Sequence, residues 1–494
     1  MLQNRHPRLF ANTLRRCTLI RHNAGRESKV IRAKSVAAQD GETKGRPGSQ
    51  ESLGWRWDGS PDALKTYAVF LAVLGIGAMP SIQSLEYADL FYFISLALST
   101  IYIGAHRGLS SKQRQEINFR EGLLAPIAAS LALFGTYLLV KYFPELSLQG
   151  FFDAYFWILG TLAFIGAFAQ PAREAGKWIG LPTWTVRIPS WVGAIDAQEQ
   201  PITHGDLALT DLIVLVGGLA LASADLAAHH GNFTLNNTIA CLVAADILQL
   251  VGLSSFRVAA LLLVGLLVYD VFWVFGSPKA VGENVMLQVA TSNVLVGPTR
   301  LIFPKIPGTV GEASNFPFAL LGLGDVAVPG LLACLALRYD ASRAVDLRSR
   351  GIAAAEAIQE ALSALPPNAS GDEIADAAGA AAEIAYDKVA DMEVEQQART
   401  QGTSVSGEVT TVYLPSDSVL HQRTYFVPVM ISYIIGLSAA FAANSITGLG
   451  QPALLYIVPM TLGTVGLVAA SRKELPRLWK YTSTVAPKPK KTED

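Results

Sequence analysis

Six aspartates lie in or beside long apolar stretches of the sequence: Asp89, Asp211, Asp225, Asp246, Asp270 and Asp325. Those at the ends of such stretches can reach a polar boundary, but Asp246, Asp270 and Asp325 cannot easily do so. Residues 261–276 read LLLVGLLVYDVFWVFG, in which Asp270 is the only polar side chain besides the Tyr269 hydroxyl and the indole of Trp273. A carboxylate in hydrocarbon costs several kcal/mol and persists where it faces a bundle interior, a watery cavity or a partner. Asp325 follows Gly322-Leu323-Gly324 in NFPFALLGLGDVAVPGLLACLALR. On consecutive, oppositely directed helices, Asp270 and Asp325 fall at similar depth, roughly 9 and 14 Å from one end. If those helix faces pack, the two carboxylates meet, and two that close cannot both ionise, so the pair holds one proton between them. Such a pair can activate water as a base and protonate a leaving amine as an acid.

These acids must be positioned by membrane spans. Of 494 residues, 51% are hydrophobic and 16% charged, well below the roughly 25% charged residues of soluble domains. About ten apolar blocks of spanning length recur, near 65–84, 89–105, 122–141, 152–169, 209–227, 235–253, 258–276, 316–337, 425–443 and 452–470. Pro80 cuts the first. The loops alternate in Lys and Arg content, and the basic set places the C-terminus in the cytosol. A net charge of −1 gives no case for nucleic-acid binding. The three cysteines form no disulfide framework or CxxC motif. Asn232-Phe-Thr and Asn236-Asn-Thr are sequons at a turn of the opposite, lumenal face.

Glycines beside Asp325 loosen a helix and admit another backbone. Pro452, in QPALLYIVP, removes a backbone donor and leaves nearby carbonyls free to bind something, although taken alone it is better explained by helix initiation near a membrane boundary. Residues 284–293 and 299–305 have strand-like composition and suggest a hairpin whose edge accepts an added strand. Residues 351–363 and 373–398 are Ala- and Glu-rich and predict a small cytosolic helical hairpin or a partly disordered insertion, broken at PPNASGDE. His229-His230 reads as a solvated cap.

Tyr269-Asp270, Gly322-Leu323-Gly324-Asp325 and Pro452-Ala453-Leu454, in that order, resemble the YD, GxGD and PAL motifs of the presenilin and signal peptide peptidase group of intramembrane aspartyl proteases. The text around them is more similar to signal peptide peptidase. The resemblance implies Asp270 and Asp325 as catalytic pair, with Tyr269, Gly322, Leu323 and Gly324 as active-site support. It implies that Gln451, Pro452, Ala453 and Leu454 shape the substrate site. It also implies an all-α polytopic, presenilin-like bundle of nine transmembrane helices. Block 65–84 would add one N-terminal span. No metal and no cofactor are implied. The substrates implied are transmembrane peptides, such as remnant signal peptides and type II membrane proteins. A homo-oligomer is compatible with all this.

The expected organisation is a basic leader and linker (1–60), N-terminal helices (61–200), catalytic helices (201–342), a cytosolic insertion (343–423), C-terminal helices (424–475) and a polar tail (476–494). Residues 1–39 hold seven Arg, two Lys and one acid, Glu27. Such a segment resembles a transit peptide and equally a disordered, positively charged tail; the first reading sets a plastid membrane as the alternative to the endoplasmic reticulum as the expected location. Competing classes explain less. There is no HExxH for a zinc protease and no GxSG for a serine rhomboid. A proton-coupled transporter accounts for buried acids but not for three ordered motifs. A non-proteolytic membrane chaperone would need a lost aspartate.

Overall fold

The computed structural model describes residues 57, 60–110, 115–142, 149–187, 204–291, 297–304, 318–366, 369–385, 423–448 and 450–483. The basic leader, residues 386–398 and the end of the tail lie outside these.

The first helix, α1 (Pro61–Gly77), is capped by Ser60, whose hydroxyl accepts the Ala63 N–H, and has Pro61 in its first turn, where a missing donor costs nothing. It packs antiparallel on α2 (Ala88–Ser110): Asp62 accepts from the Tyr102 hydroxyl at one end, and Gly77 meets the Tyr92 ring at the other. The cut at Pro80 is a short turn of helix, Pro80–Gln83. Then follow β1 (Gln115–Ile117), α3 (Phe119–Tyr142), α4 (Gln149–Ile179), β2 (Thr183–Arg187), β3 (His204–Ala208), α5 (Leu209–Ala227), α6 (Phe233–Leu250), β4 (Val251–Leu253) and α7 (Phe256–Val271). β1 pairs with β4 in parallel, and β2 with β3 antiparallel. A π-turn, Phe272–Gly276, and a short helix, Ser277–Val281, extend α7. Next come α8 (Val285–Thr291), β5 (Arg300–Pro304), β6 (Phe318–Gly322), α9 (Leu323–Ala364), α10 (Phe426–Thr447), α11 (Leu454–Ser471) and α12 (Leu475–Lys480).

Eight helices among the described residues are long and apolar enough to cross a membrane: α2 to α7, α10 and α11. The protein is an all-α polytopic membrane protein. α9 carries Asp325, Arg338 and Asp340 within its first turns, too many charges for that criterion, yet Leu331–Leu337 are buried on every side. A helix buried all round is central to its bundle, and α9 packs against α2, α6 and α10. α10 and α11 come close at Gly436, where a Cβ would stand 2.8 Å from Ile457 Cα.

Three expectations change. Residues 316–337 are not one helix: 318–322 form β6, and α9 begins only at Leu323. Residues 285–291 of the strand-like stretch 284–293 are helical. The first insertion helix is no separate arm but the continuation of α9 to Ala364, and residues 371–385 form a second helix that begins within the PPNASGDE stretch. The insertion leaves and returns at one clamp. Asp340 accepts the Tyr425 and Phe426 N–H groups and so caps α10. Arg343 donates to Glu474 at 2.9 Å, and Tyr425 donates to the same carboxylate.

Candidate active site

The aspartates separate by partner. Arg107 donates to Asp246 at 2.7 Å, and Arg107 is buried. Arg173 holds Asp211 with two hydrogen bonds, and Asp211 also accepts the Ala208 N–H. Asp225 bonds His230 Nδ1 at 2.6 Å, and His230 Nε2 lies 3.2 Å from Asp153. His230 is therefore a buried link between two carboxylates rather than a solvated cap, and the Asp225 hydrogen bond raises its pKa. Asp89 sits in the first turn of α2 and accepts the Leu90 N–H. Asp270 and Asp325 alone of the deep acids have no cationic partner among the described residues.

Asp270 ends α7 on its buried side, directly before the π-turn. The turn throws Trp273 toward α3, where its indole donates to Ser130, and Tyr269 packs with the same cluster. Asp270 Oδ2 accepts the Leu454 N–H at 3.2 Å. The first N–H groups of a helix have no intrahelical acceptor, so α11 presents a donor to Asp270. Pro452 acts differently from expectation. The Pro452 carbonyl takes the Leu455 N–H, and the Ala453 carbonyl those of Tyr456 and Ile457, so no carbonyl of these two is released. Gln451 hydrogen-bonds Thr447 and Tyr456 and stiffens the approach to α11.

Asp325 lies in the first turn of α9, half-buried, on a helix that packs against α7. A Cβ on Gly322 would lie 3.4 Å from its Oδ2, whereas one on Gly324 would meet nothing within 4 Å. Packing does not impose Gly324; the space beside Asp325 is open there. Leu323 packs on the main core and donates its N–H to the Thr299 carbonyl.

The strand before Asp325 is fixed by residues that the sequence reading missed. β6 pairs antiparallel with β5, Leu301 opposite Leu321 and Ile302 opposite Leu320. The other edge of β5 is closed by α6. Asn237 receives the Ile302 N–H at 2.9 Å and donates to the Ile302 carbonyl at 2.7 Å, while Asn236 donates to the Arg300 carbonyl. The Asn236 sequon is thus a buried structural anchor, while Asn232 caps α6. In an antiparallel pair, alternate residues turn their polar groups outward. Ile302 and Arg300 turn theirs to α6, so Leu320 and Gly322 turn theirs to the other edge of β6, which pairs with no strand among the described residues. Tyr433 on α10 was also missed. It is buried, and its hydroxyl finds no hydrogen-bond partner among the described residues. Only its place in an apolar helix marked it.

Residues 109–485 match the family model described as signal peptide peptidase. The chain belongs to the signal peptide peptidase family. It is 26% identical over 394 residues to the signal peptide peptidases of Mus musculus and of Homo sapiens, an alignment covering 78% of this chain and 81% of each relative. Signal peptide peptidase-like 1 of Arabidopsis thaliana is 28% identical over 273 residues, 50% of this chain and 56% of that protein. Membership supports protease function within the membrane, on peptide substrates embedded in the bilayer.

Proposed function

We propose that the protein is an aspartic endopeptidase in which Asp270 and Asp325 share one proton and hydrolyse peptide bonds of transmembrane segments. The observation that carries this reading is the Leu454 N–H on Asp270, which joins the YD and PAL motifs, with α9, the helix that carries Asp325, packed on α7. That donor favours leaving the negative charge on Asp270. Asp270 takes a proton from water as the water oxygen attacks the scissile carbonyl carbon, and Asp325 gives its proton to the carbonyl oxygen. The gem-diol collapses as Asp325 takes back a hydroxyl proton, the C–N bond breaks, and the nitrogen leaves with the proton held by Asp270, so that the product is an amine and a carboxyl group and the pair returns to its starting state. Tyr269, Gly322, Leu323 and Gly324 support this geometry; Gln451 to Leu454 border the substrate.

A helical amide is shielded by its own hydrogen bonds, so the substrate must extend. The open edge of β6 offers the N–H and C=O of Leu320 and Gly322, three residues before Asp325, to an added strand. Remnant signal peptides and type II segments are the proposed substrates, and the endoplasmic reticulum membrane the proposed site, with a plastid membrane as alternative. A peptide carrying a hydroxyethylene in place of the scissile amide mimics the gem-diol. It should bind the purified protein and lose affinity in Asp270→Asn and Asp325→Asn. Equal binding to all three proteins would refute the shared-proton pair.

A further inference from the structure

On the outer side of α7, away from Asp270, a groove of about 560 Å³ runs between α3 and α7. Its walls are apolar: Leu123 and Pro126 from α3, and Leu261, Val264 and Val268 from α7. Val268 and Asp270 are two residues apart on one helix, which turns them to nearly opposite faces. The groove is therefore distinct from the candidate active site.

One end is polar. Arg257, in the first turn of α7, donates Nε to the Trp479 carbonyl at 2.8 Å, and its guanidinium lies 5.2 Å from the Trp479 ring centroid. Both contacts fix the side chain at the groove mouth, and among the described residues no carboxylate neutralises it. Arg477 and Lys480 add positive charge on α12, and Trp479 is half exposed. Tryptophan beside basic residues marks the headgroup level of a membrane, and loop charge places this end on the cytosolic side. From Arg257 to Val268 is eleven residues, roughly 16 Å of helix. That is about half of a hydrocarbon core of ~30 Å, the depth of one leaflet.

We propose that this groove binds one anionic glycerophospholipid of the cytosolic leaflet, its phosphate on Arg257 and one acyl chain lying between α3 and α7 as far as Val268. The cation fixed at headgroup level, the apolar walls and the one-leaflet depth each match a part of that molecule. A zwitterionic lipid offers the same chain but no net charge to the basic end.

The test is native mass spectrometry of the full chain purified in detergent, titrated with phosphatidylserine or phosphatidylcholine. One phosphatidylserine per chain should be retained in preference to phosphatidylcholine. Arg257→Gln should weaken that retention roughly fivefold, the worth of one basic residue at an anionic leaflet, and Arg257→Lys should restore most of it. Val264→Trp, at an exposed groove position, should exclude the chain and abolish retention, whereas Val216→Trp on the exposed face of α5 should leave it unchanged. Equal retention of both lipids, or wild-type retention in both Arg257→Gln and Val264→Trp, would mean annular lipid only and overturn the site. No readout here depends on proteolysis, so the proposed function and the lipid site fail independently.

Discussion

The placement of Asp325 depends on one side-chain amide in another helix. Asn237 is fully buried, and its carboxamide bridges the N–H and C=O of Ile302 as a neighbouring strand would. It also donates to the Tyr92 hydroxyl at 3.1 Å. Asn237→Ala removes both strand-like bonds and leaves two polar groups of the buried Ile302 without partners. A buried unsatisfied group costs about 1–3 kcal/mol, so the pair costs about 2–4 kcal/mol after partial relaxation. Much of that loss falls on the local closure of β5, which holds β6 and, through it, the first turn of α9. Local opening at 2 kcal/mol speeds amide exchange roughly 30-fold. Hydrogen exchange of the peptide containing Ile302, with the thermal midpoint in the same detergent, reads this out. Faster exchange at Ile302, a lower midpoint and reduced cleavage are expected together. Wild-type exchange and midpoint in Asn237→Ala would refute the claim that the carboxamide closes this edge.

Gly436→Ala puts a methyl group 2.8 Å from Ile457 Cα and 3.1 Å from the Tyr456 carbonyl. Overpacking of this kind costs about 1–3 kcal/mol and should push the Leu454 N–H from Asp270, lowering both thermal midpoint and cleavage; Gly463→Ala, where a Cβ meets nothing within 4 Å, should be neutral. Leu320→Pro removes a donor from the open edge of β6 and should cut cleavage with little loss of stability, whereas Leu321→Pro breaks the β5 pairing and should destabilise the protein; equal effects on stability would argue against the assigned edge. His230 gains its charge from Asp225 and Asp153, so its pKa is raised on folding. That stabilisation is fully present below the ordinary imidazole value of about 6.5 and is lost as pH rises through the higher folded value. Thermal midpoints should therefore fall over that window in the wild type and stay flat in His230→Gln.

Much of the site was legible because its chemistry is expensive in a membrane. An unpaired carboxylate in an apolar run is conspicuous, and the glycines and proline beside the second and third motifs mark backbone that departs from helix. Composition did not distinguish Asp246 from Asp270; only the fold brings Arg107 across from α2 to neutralise the former. FALLG was absorbed into the following span because a short apolar run carries no period that separates a buried strand from a helix. Its strand character comes from pairing with β5, a partner some twenty residues away. Residues 285–291 failed in the opposite direction: β-branched composition yielded to packing of Val285 against Tyr137 and Trp273. Asn236 and Asn237 were hidden by a turn-like, sequon-bearing context that gave no sign of a strand edge waiting to be closed.

The central claim is that two carboxylates, one at the end of α7 and one at the start of α9, act together on water. Cleavage of a synthetic transmembrane peptide by the reconstituted full chain, followed by mass spectrometry of the products, tests it most directly. Wild-type protein should yield two fragments cut within the hydrophobic segment, and Asp270→Asn and Asp325→Asn should each yield none while retaining wild-type thermal midpoints to within a few degrees. Substantial cleavage by either folded variant would contradict the account.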